Sequence, residues 1–166
     1  MRTTHYTGRF APSPTGPLHL GSLLTALASF LDARARQGIW LVRMEDLDPP
    51  REMAGAASDI LRTLECYGLH WDGEVVYQSH RHARYEDAVQ ILLQQGQAFY
   101  CTCSRKDLQA LGARAYPGTC RGQLTIPAQE HAIRVQVDNS DIHFNDALQG
   151  YCTFNLHNDG GDFVIK

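Results

Sequence analysis

No apolar run in this chain is long enough to cross a membrane. The amino-terminal MRTTHYTGRF has none of the hydrophobic stretch that a secretory leader carries. A cytoplasmic location is therefore the default expectation. Positive charge is not in excess: the formal net charge is −3, which excludes a polycation that grips nucleic acid by bulk charge. Any RNA contact would need a local basic patch. There is no internal repeat and no low-complexity tract. Neither GxGxxG nor GxxxxGK[ST] occurs, so the dinucleotide and P-loop readings fail. Cysteine is sparse and odd in number: Cys66, Cys101, Cys103, Cys120 and Cys152. In a cytosolic chain that count argues against a disulfide framework and leaves metal binding or plain burial.

What is present is an ordinary globular composition. The 166 residues are 43% hydrophobic and 20% charged, enough for one domain with a real core, or a domain and a small insertion. HYTGRFA reads as a short strand. SLLTALASFLDARARQG reads as a helix, with Leu23, Leu24, Leu27, Phe30 and Leu31 at helical spacing, Ser22 as its N-cap and Gly38 as its stop. IWLVRME is a dense apolar run, as expected for a strand buried on both faces. Strand, helix and strand at this spacing predict a βαβ unit in a parallel sheet.

Helices are expected again over EMAGAASDILRTLECYG and RYEDAVQILLQQGQ, the second closed by Gly96. From AFYCTCS onward the texture changes. A short helix over SRKDLQALGA is followed by the turn YPGTCRG. Short strands follow in HAIRVQV, DIHFNDALQG, YCTFNL and GDFVIK. The final DFVIK stops inside an apolar run with no breaker after it. A doubly wound sheet needs more strands than these, so the chain is expected to be a piece of a longer enzyme.

The junction RFAPSPTGPLHLGS joins the first strand to the first helix, where ligands bind in an α/β sheet. A helix N-terminus offers unpaired N–H groups and a partial positive charge, and phosphate sits there readily. Gly21 lets a ligand approach the backbone, and His19 can donate to phosphate oxygens. Arg9 presents a planar fork of donors to a carboxylate. Glu45, at the end of the second strand, can pair with an ammonium group. The bland alternative is a stiff connector, with Glu45, Asp46 and Asp48 as a solvated acidic turn.

A second cluster is Cys101-x-Cys103 followed by Tyr116-x-x-x-Cys120. Three thiolates are one ligand short of a structural zinc site. Spacing alone leaves two readings open, zinc or buried thiols with a packing tyrosine, and His131 is a nearby further donor. Cys66 and Cys152 are expected to be core residues.

RFAPSPTGPLHLGS, with WLVRMEDLDPPRE after it, resembles the first signature region of class I aminoacyl-tRNA synthetases in the form used by the glutamate and glutamine enzymes. His19, Leu20, Gly21 and Ser22 stand where that family has His-Ile-Gly-His, so Ser22 departs from the general pattern. The resemblance covers essentially the whole chain and is strongest over 8–52 and 99–122. It implies an α/β, Rossmann-like catalytic domain, a parallel sheet with helices, bearing a small zinc-bearing insertion. Residues 1–98 would be the first half of the catalytic domain and 99–166 the insertion.

The resemblance also implies roles. Arg9, Ala11, Ser13 and Glu45 would contact glutamate. Pro12, His19 and Gly21 would meet ATP, and His19, Gly21 and Ser22 would serve the chemistry. Cys101, Cys103, Tyr116 and Cys120 would hold a structural zinc, with the Tyr116 phenol as fourth ligand. The activity implied is ATP- and magnesium-dependent formation of glutamyl-adenylate by a cytoplasmic monomer. GSLLTAL and EDLDPPRE are similar to the short members of the family, whose glutamate goes to the queuosine base of tRNA(Asp). The alternatives are a piece of an ordinary glutamyl-tRNA synthetase, a non-catalytic zinc-stabilised RNA-binding fragment, or another nucleotidyltransferase. The family's second, lysine-containing signature loop and further glutamate contacts would lie beyond Lys166.

Overall fold

The computed structural model describes residues 6–110 and 115–166. His5, the first residue of the expected first strand, lies outside the described residues, as do residues 111–113 of the helix expected over 104–113. The chain divides into two compact units, Met1–His82 and Ala83–Lys166. No helix among the described residues is long and apolar enough to cross a membrane.

The first unit is built on a three-stranded parallel sheet. Strands β1 (Thr7–Phe10), β2 (Ile39–Met44) and β3 (Val76–Tyr77) lie in the order β1-β2-β3. β1 and β2 run parallel, with Thr7 opposite Ile39 and Phe10 opposite Val42. Helices α1 (Leu20–Ala35) and α2 (Ala56–Cys66) are the long connections. This is the expected strand–helix–strand unit, and it sets the end of β1 beside the end of β2.

The core of this unit gathers around Trp40, which is fully buried with Val42, Met44, Ile60 and Leu64. Phe30 meets the Trp40 ring edge-on at 5.2 Å. The indole N–H donates to Ser29 Oγ at 2.9 Å, so its one polar group is satisfied in the core. The Trp40 backbone N–H donates to Asp72 at 2.7 Å, and Arg34 from α1 grips the same carboxylate at 2.7 Å. Those bonds hold the Asp72 carboxyl below its ordinary range.

Two expectations are corrected here. β2 is not buried on both faces: Trp40, Val42 and Met44 are buried, whereas Leu41 and Arg43 are half-buried and Ile39 is exposed. The inward face of α1 is carried by Ala26 and Ala33, with Leu23 and Phe30 packed against the core. Leu24, Leu27 and Leu31 are exposed. The reason is close packing. A Cβ on Gly8 would come within 3.1 Å of both Ala33 Cβ and the Ser29 carbonyl. A helix this near its strand admits only small residues at the contact.

The second unit begins with α3 (His82–Gln94) and carries an antiparallel sheet of β4 (Ala98–Cys101), β5 (Ala132–Val135) and β8 (Phe163–Val164) in the order β4-β5-β8. Between them lie α4 (Arg105–Ala110), the hairpin β6 (Ile142–Asp146) and β7 (Gly150–Phe154), and α5 (Leu156–Asp159), a turn of helix that sequence periodicity did not predict. All four residues of β4 are buried. Strand alternation divides them between two clusters. Ala98 and Tyr100 pack with Val89, Leu93 and Ile133. Phe99 and Cys101 pack with Tyr116, Cys103 and Cys120. The hairpin leaves Cys152 only part-buried, and Cys66 is exposed at the end of α2, off the Ile60 and Leu64 stripe. Neither is a core residue.

Candidate functional site

The chain leaves β1 through a proline-rich loop that borders an open concavity of about 330 Å³, lined by Ala11, Pro12, Ser13, His19 and Ser22 among others. The loop is tied to the end of β2: the Glu45 backbone N–H donates to the Pro12 carbonyl at 2.9 Å, and that of Met53 to Pro14 at 3.0 Å. Parallel pairing of β1 and β2 makes this junction possible, because both strands end on the same side. A second hollow of about 350 Å³ on α1 is lined by Leu20, Leu23, Leu24, Leu27, Tyr67 and Leu69. It is almost wholly apolar and suits neither a carboxylate nor a phosphate.

His19 is the N-cap of α1, and not Ser22 as expected from the sequence. His19 has extended backbone, and its Nδ1 accepts the Ser22 backbone N–H at 3.1 Å. Ser22 Oγ lies 3.0 Å from His19 Nε2. Ser22 sits one turn inside the helix and engages the imidazole. Gly21 makes room for this. A Cβ there would lie 3.1 Å from His19 Cε1 and 3.2 Å from Nδ1. The exposed ring thus folds over the helix N-terminus, where unpaired N–H groups favour anions.

Around Glu45 the structure adds a residue that the sequence did not single out. Arg43, on β2, donates a hydrogen bond from Nη2 to Glu45 Oε1. The Arg43 Nε–H is buried, with no partner among the described residues. Arg9 stands on the exposed side of β1, with no ion-pair partner among the described residues. The neighbouring acidic residues are structural. Asp46 accepts from Ser79 N at 3.0 Å and Ser79 Oγ at 2.5 Å. Burial pulls the Asp46 carboxyl upward, yet the Ser79 bonds hold it below its ordinary range. Asp48 pairs with Arg51 at 2.5 Å.

In the second unit the Sγ atoms of Cys101, Cys103 and Cys120 lie within 4.8 Å of one another. Cys103 and Cys120 sulfurs are 3.6 Å apart. The Tyr116 hydroxyl is 3.4 Å from Cys101 Sγ and 3.9 Å from Cys103 Sγ, and it accepts the Cys120 N–H at 2.9 Å. A tetrahedral zinc with bonds of about 2.3 Å to sulfur and about 2 Å to oxygen needs S···S spacings of about 3.8 Å and S···O spacings of about 3.5 Å. The 3.6 Å sulfur–sulfur and 3.4 Å sulfur–oxygen separations are near those values, and the 3.9 Å one is longer. His131 does not join the four donors; its ring meets Tyr100 edge-on at 5.2 Å, and its Nδ1 lies 3.0 Å from the Gln129 carbonyl.

The thiols differ in acidity. Burial and the hydrogen bond with Cys120 push Cys103 up to about 11. Burial also works against the Cys120 thiolate, but hydrogen bonds from the Tyr116 hydroxyl, the Thr102 backbone and the two other thiols bring Cys120 down to about 7. Burial and its thiol partners push the Tyr116 phenol well above its ordinary range. Cys120 is therefore more readily deprotonated for a metal than Cys103.

Behind the cluster lies a network that sequence spacing did not reveal, because its members are far apart in the chain. Asp162 is 1% exposed and accepts from Arg121 Nε at 2.8 Å, Arg121 Nη2 at 2.7 Å and the Val137 N–H at 2.9 Å. Arg134 Nη1 donates to the Asp162 carbonyl at 2.8 Å, and its guanidinium carbon stands 4.1 Å over the Tyr116 ring centroid.

The family model described as class I (E and Q) tRNA synthetases, catalytic domain, matches residues 6–166. The glutamyl-Q tRNA(Asp) synthetase of Photobacterium profundum is 55% identical over 98% of this chain and 52% of its own length. The protein of that name from Vibrio cholerae is 54% identical over 98% of this chain and 53% of its own length. The chain thus spans about half the length of these curated relatives. Among solved structures, a glutamate-tRNA synthetase from Elizabethkingia anophelis superposes with a TM-score of 0.81 at 28% identity, covering 97% of this chain and 39% of that one.

Proposed function

The chain belongs to the class I tRNA synthetases of the glutamate and glutamine type, and on that premise we propose that it is part of an enzyme that activates glutamate with ATP and passes it to the queuosine base of tRNA(Asp). The observation that carries this reading is the junction of the first unit. There a helix N-terminus capped by His19 and a loop tied to Glu45 border one concavity. The higher identity to glutamyl-Q relatives favours that branch over the ordinary glutamate enzymes.

In this reading a glutamate carboxylate oxygen attacks the α-phosphorus of ATP. The new P–O bond gives glutamyl-adenylate as the bond to the bridging oxygen breaks, and pyrophosphate leaves with magnesium. The protein contributes position and charge. Arg9 takes a substrate carboxylate as a two-pronged donor, and Ala11 and Ser13 shape the bed beneath the amino acid. Glu45 receives the substrate ammonium, exchanging or sharing its bond with Arg43. Pro12, His19 and Gly21 receive the nucleotide. Ser22 holds the imidazole over the helix N-terminus, where phosphate charge is stabilised.

Cys101, Cys103, Tyr116 and Cys120 are assigned to a structural zinc in the insertion, taken as residues 99–166. That ion supplies a cross-link between the end of β4 and the 116–122 turn. The reading is supported by three sulfurs within 4.8 Å of one another and the Tyr116 hydroxyl 3.4 Å from the nearest, with one thiol acidified to about 7.

The test is glutamate-dependent ATP–pyrophosphate exchange without tRNA, run on this chain and on a version of its relatives' length. Transfer of labelled glutamate follows. Label on queuosine-containing tRNA(Asp), and none on tRNA(Asp) lacking that base, is the expected result. Charging of the 3′ end of tRNA(Glu) would sink the queuosine reading.

A further inference from the structure

Arg134 is a buried cation with no carboxylate partner among the described residues. It is 9% exposed, and its Nε–H is likewise buried with no hydrogen-bond partner among them. Its polar contact is one neutral carbonyl, that of Asp162. The Asp162 carboxylate itself is taken up by Arg121 and the Val137 N–H. A buried charge left in this state is costly unless a counter-charge stands nearby. The group that Arg134 faces is the Tyr116 ring, with its guanidinium carbon 4.1 Å from the ring centroid. Strand register explains the placement. Arg134 on β5 lies opposite Phe99 on β4, and the Phe99 ring is 6.1 Å from that of Tyr116.

We propose that Arg134 is a positioning residue of the metal centre: it holds the Tyr116 ring so that the phenolic oxygen stays among the three sulfurs, and it is the counter-charge of the loaded cluster. The inference rests on the zinc assignment made above. Three thiolates around a divalent ion carry a net negative charge, and a phenolate adds another. A cation over the Tyr116 ring face offsets that charge without supplying a ligand, and the flat guanidinium stacks on the π face, which the point charge of an ammonium cannot do. The Asp162 carbonyl fixes the fork from behind, and Arg121 keeps the Asp162 carboxylate neutralised so that it does not draw Arg134 away.

The experiment compares the wild-type chain with R134Q, R134K and Y116F. Zinc affinity is measured by competition with a chelating dye, thermal melting with and without zinc, and the visible spectrum of the cobalt(II)-loaded forms. R134Q is expected to bind zinc about 10- to 100-fold more weakly, the usual loss for an outer partner of a metal ligand. Its cobalt spectrum should move toward that of Y116F, and zinc should raise its melting midpoint less than in the wild type. R134K keeps the charge but not the planar stack. It should regain most of the affinity while its cobalt spectrum still shifts, so it tests the idea even if R134Q does not fold. Wild-type zinc affinity in R134Q, or an unshifted cobalt spectrum in a folded R134K, would overturn the proposal while leaving the zinc site standing. A wild-type chain that binds no zinc would overturn both. A merely structural arginine would lower the melting midpoint equally with and without zinc.

Discussion

His19 and Ser22 hold one another across the first turn of α1: the imidazole Nδ1 accepts the serine N–H at 3.1 Å, and the serine hydroxyl lies 3.0 Å from Nε2. The cap of the helix and the candidate phosphate-handling ring are thus one group. The ring's pose depends on Gly21, over which it lies.

Replacing Gly21 by alanine should therefore act on chemistry more than on folding. The added methyl would stand 3.1 Å from His19 Cε1 and push an exposed ring off the helix N-terminus. Alanine is a better helix former than glycine by about 1 kcal/mol, which offsets the loss of the His19 cap, so the melting midpoint should change little. Pyrophosphate exchange should fall by about 100-fold, the order expected for a misplacement of about 1 Å at a reacting centre. Exchange at the wild-type rate in the G21A enzyme would remove His19 from the site.

Glu45→Gln removes the charge proposed to receive the substrate ammonium and also the charged partner of Arg43. A hydrogen bond between charged groups contributes about 1.5–3 kcal/mol, so KM for glutamate should rise by about 10- to 100-fold while KM for ATP stays put. Steady-state exchange kinetics with each substrate varied in turn will check the split. An equal rise in both constants would instead mark the Glu45 side chain as a support of the loop, through its bond to Arg43.

Stability should depend on pH through Asp162. Burial alone would raise this carboxyl, but the Arg121 fork and the Val137 N–H hold it below its ordinary value. A folded-state value lower than the unfolded one means that the contribution is fully present above the unfolded carboxylate range. It drains away as pH falls through that range toward the folded value. Melting midpoints taken from pH 7 down to pH 2 should fall more steeply for the wild type than for D162N. At pH 7 the variant should lose about 2 kcal/mol, the order for a hydrogen-bonded group paired with a charge. Parallel curves for the two proteins would exclude Asp162 as the source.

Gly8→Val tests the close approach of α1 to β1. The new Cβ would meet Ala33 Cβ and the Ser29 carbonyl at 3.1 Å, and Trp40 Cδ1 at 3.2 Å. Overpacking of this kind costs about 1–3 kcal/mol, measurable by urea denaturation. An unchanged midpoint would mean that the helix can shift outward freely.

Much of the local structure was legible in the residues. Helical spacing of apolar residues located α1, and short apolar stretches located β1 and β2, to within a few residues, while α3 was read from the run closed by Gly96. The spacing of Cys101, Cys103, Tyr116 and Cys120 left metal binding and plain burial both open, the family resemblance pointed to four donors, and the structure brings those four residues together. Periodicity misjudged α1 for a physical reason. It counts leucines as inward-facing, whereas the helix turns its alanines inward to meet Gly8 and leaves Leu24, Leu27 and Leu31 exposed.

Residue order along the chain was enough to point to the family, since its signature is a short run whose chemistry depends on near neighbours. Tertiary contact alone settled the rest. Pairing of β4 with β5 sets Arg134 opposite Phe99 and over Tyr116. Folding back of the chain brings Asp162 to Arg121. A buried charge acquires its partner from whatever the fold packs against it, and separation along the chain carries no record of that distance.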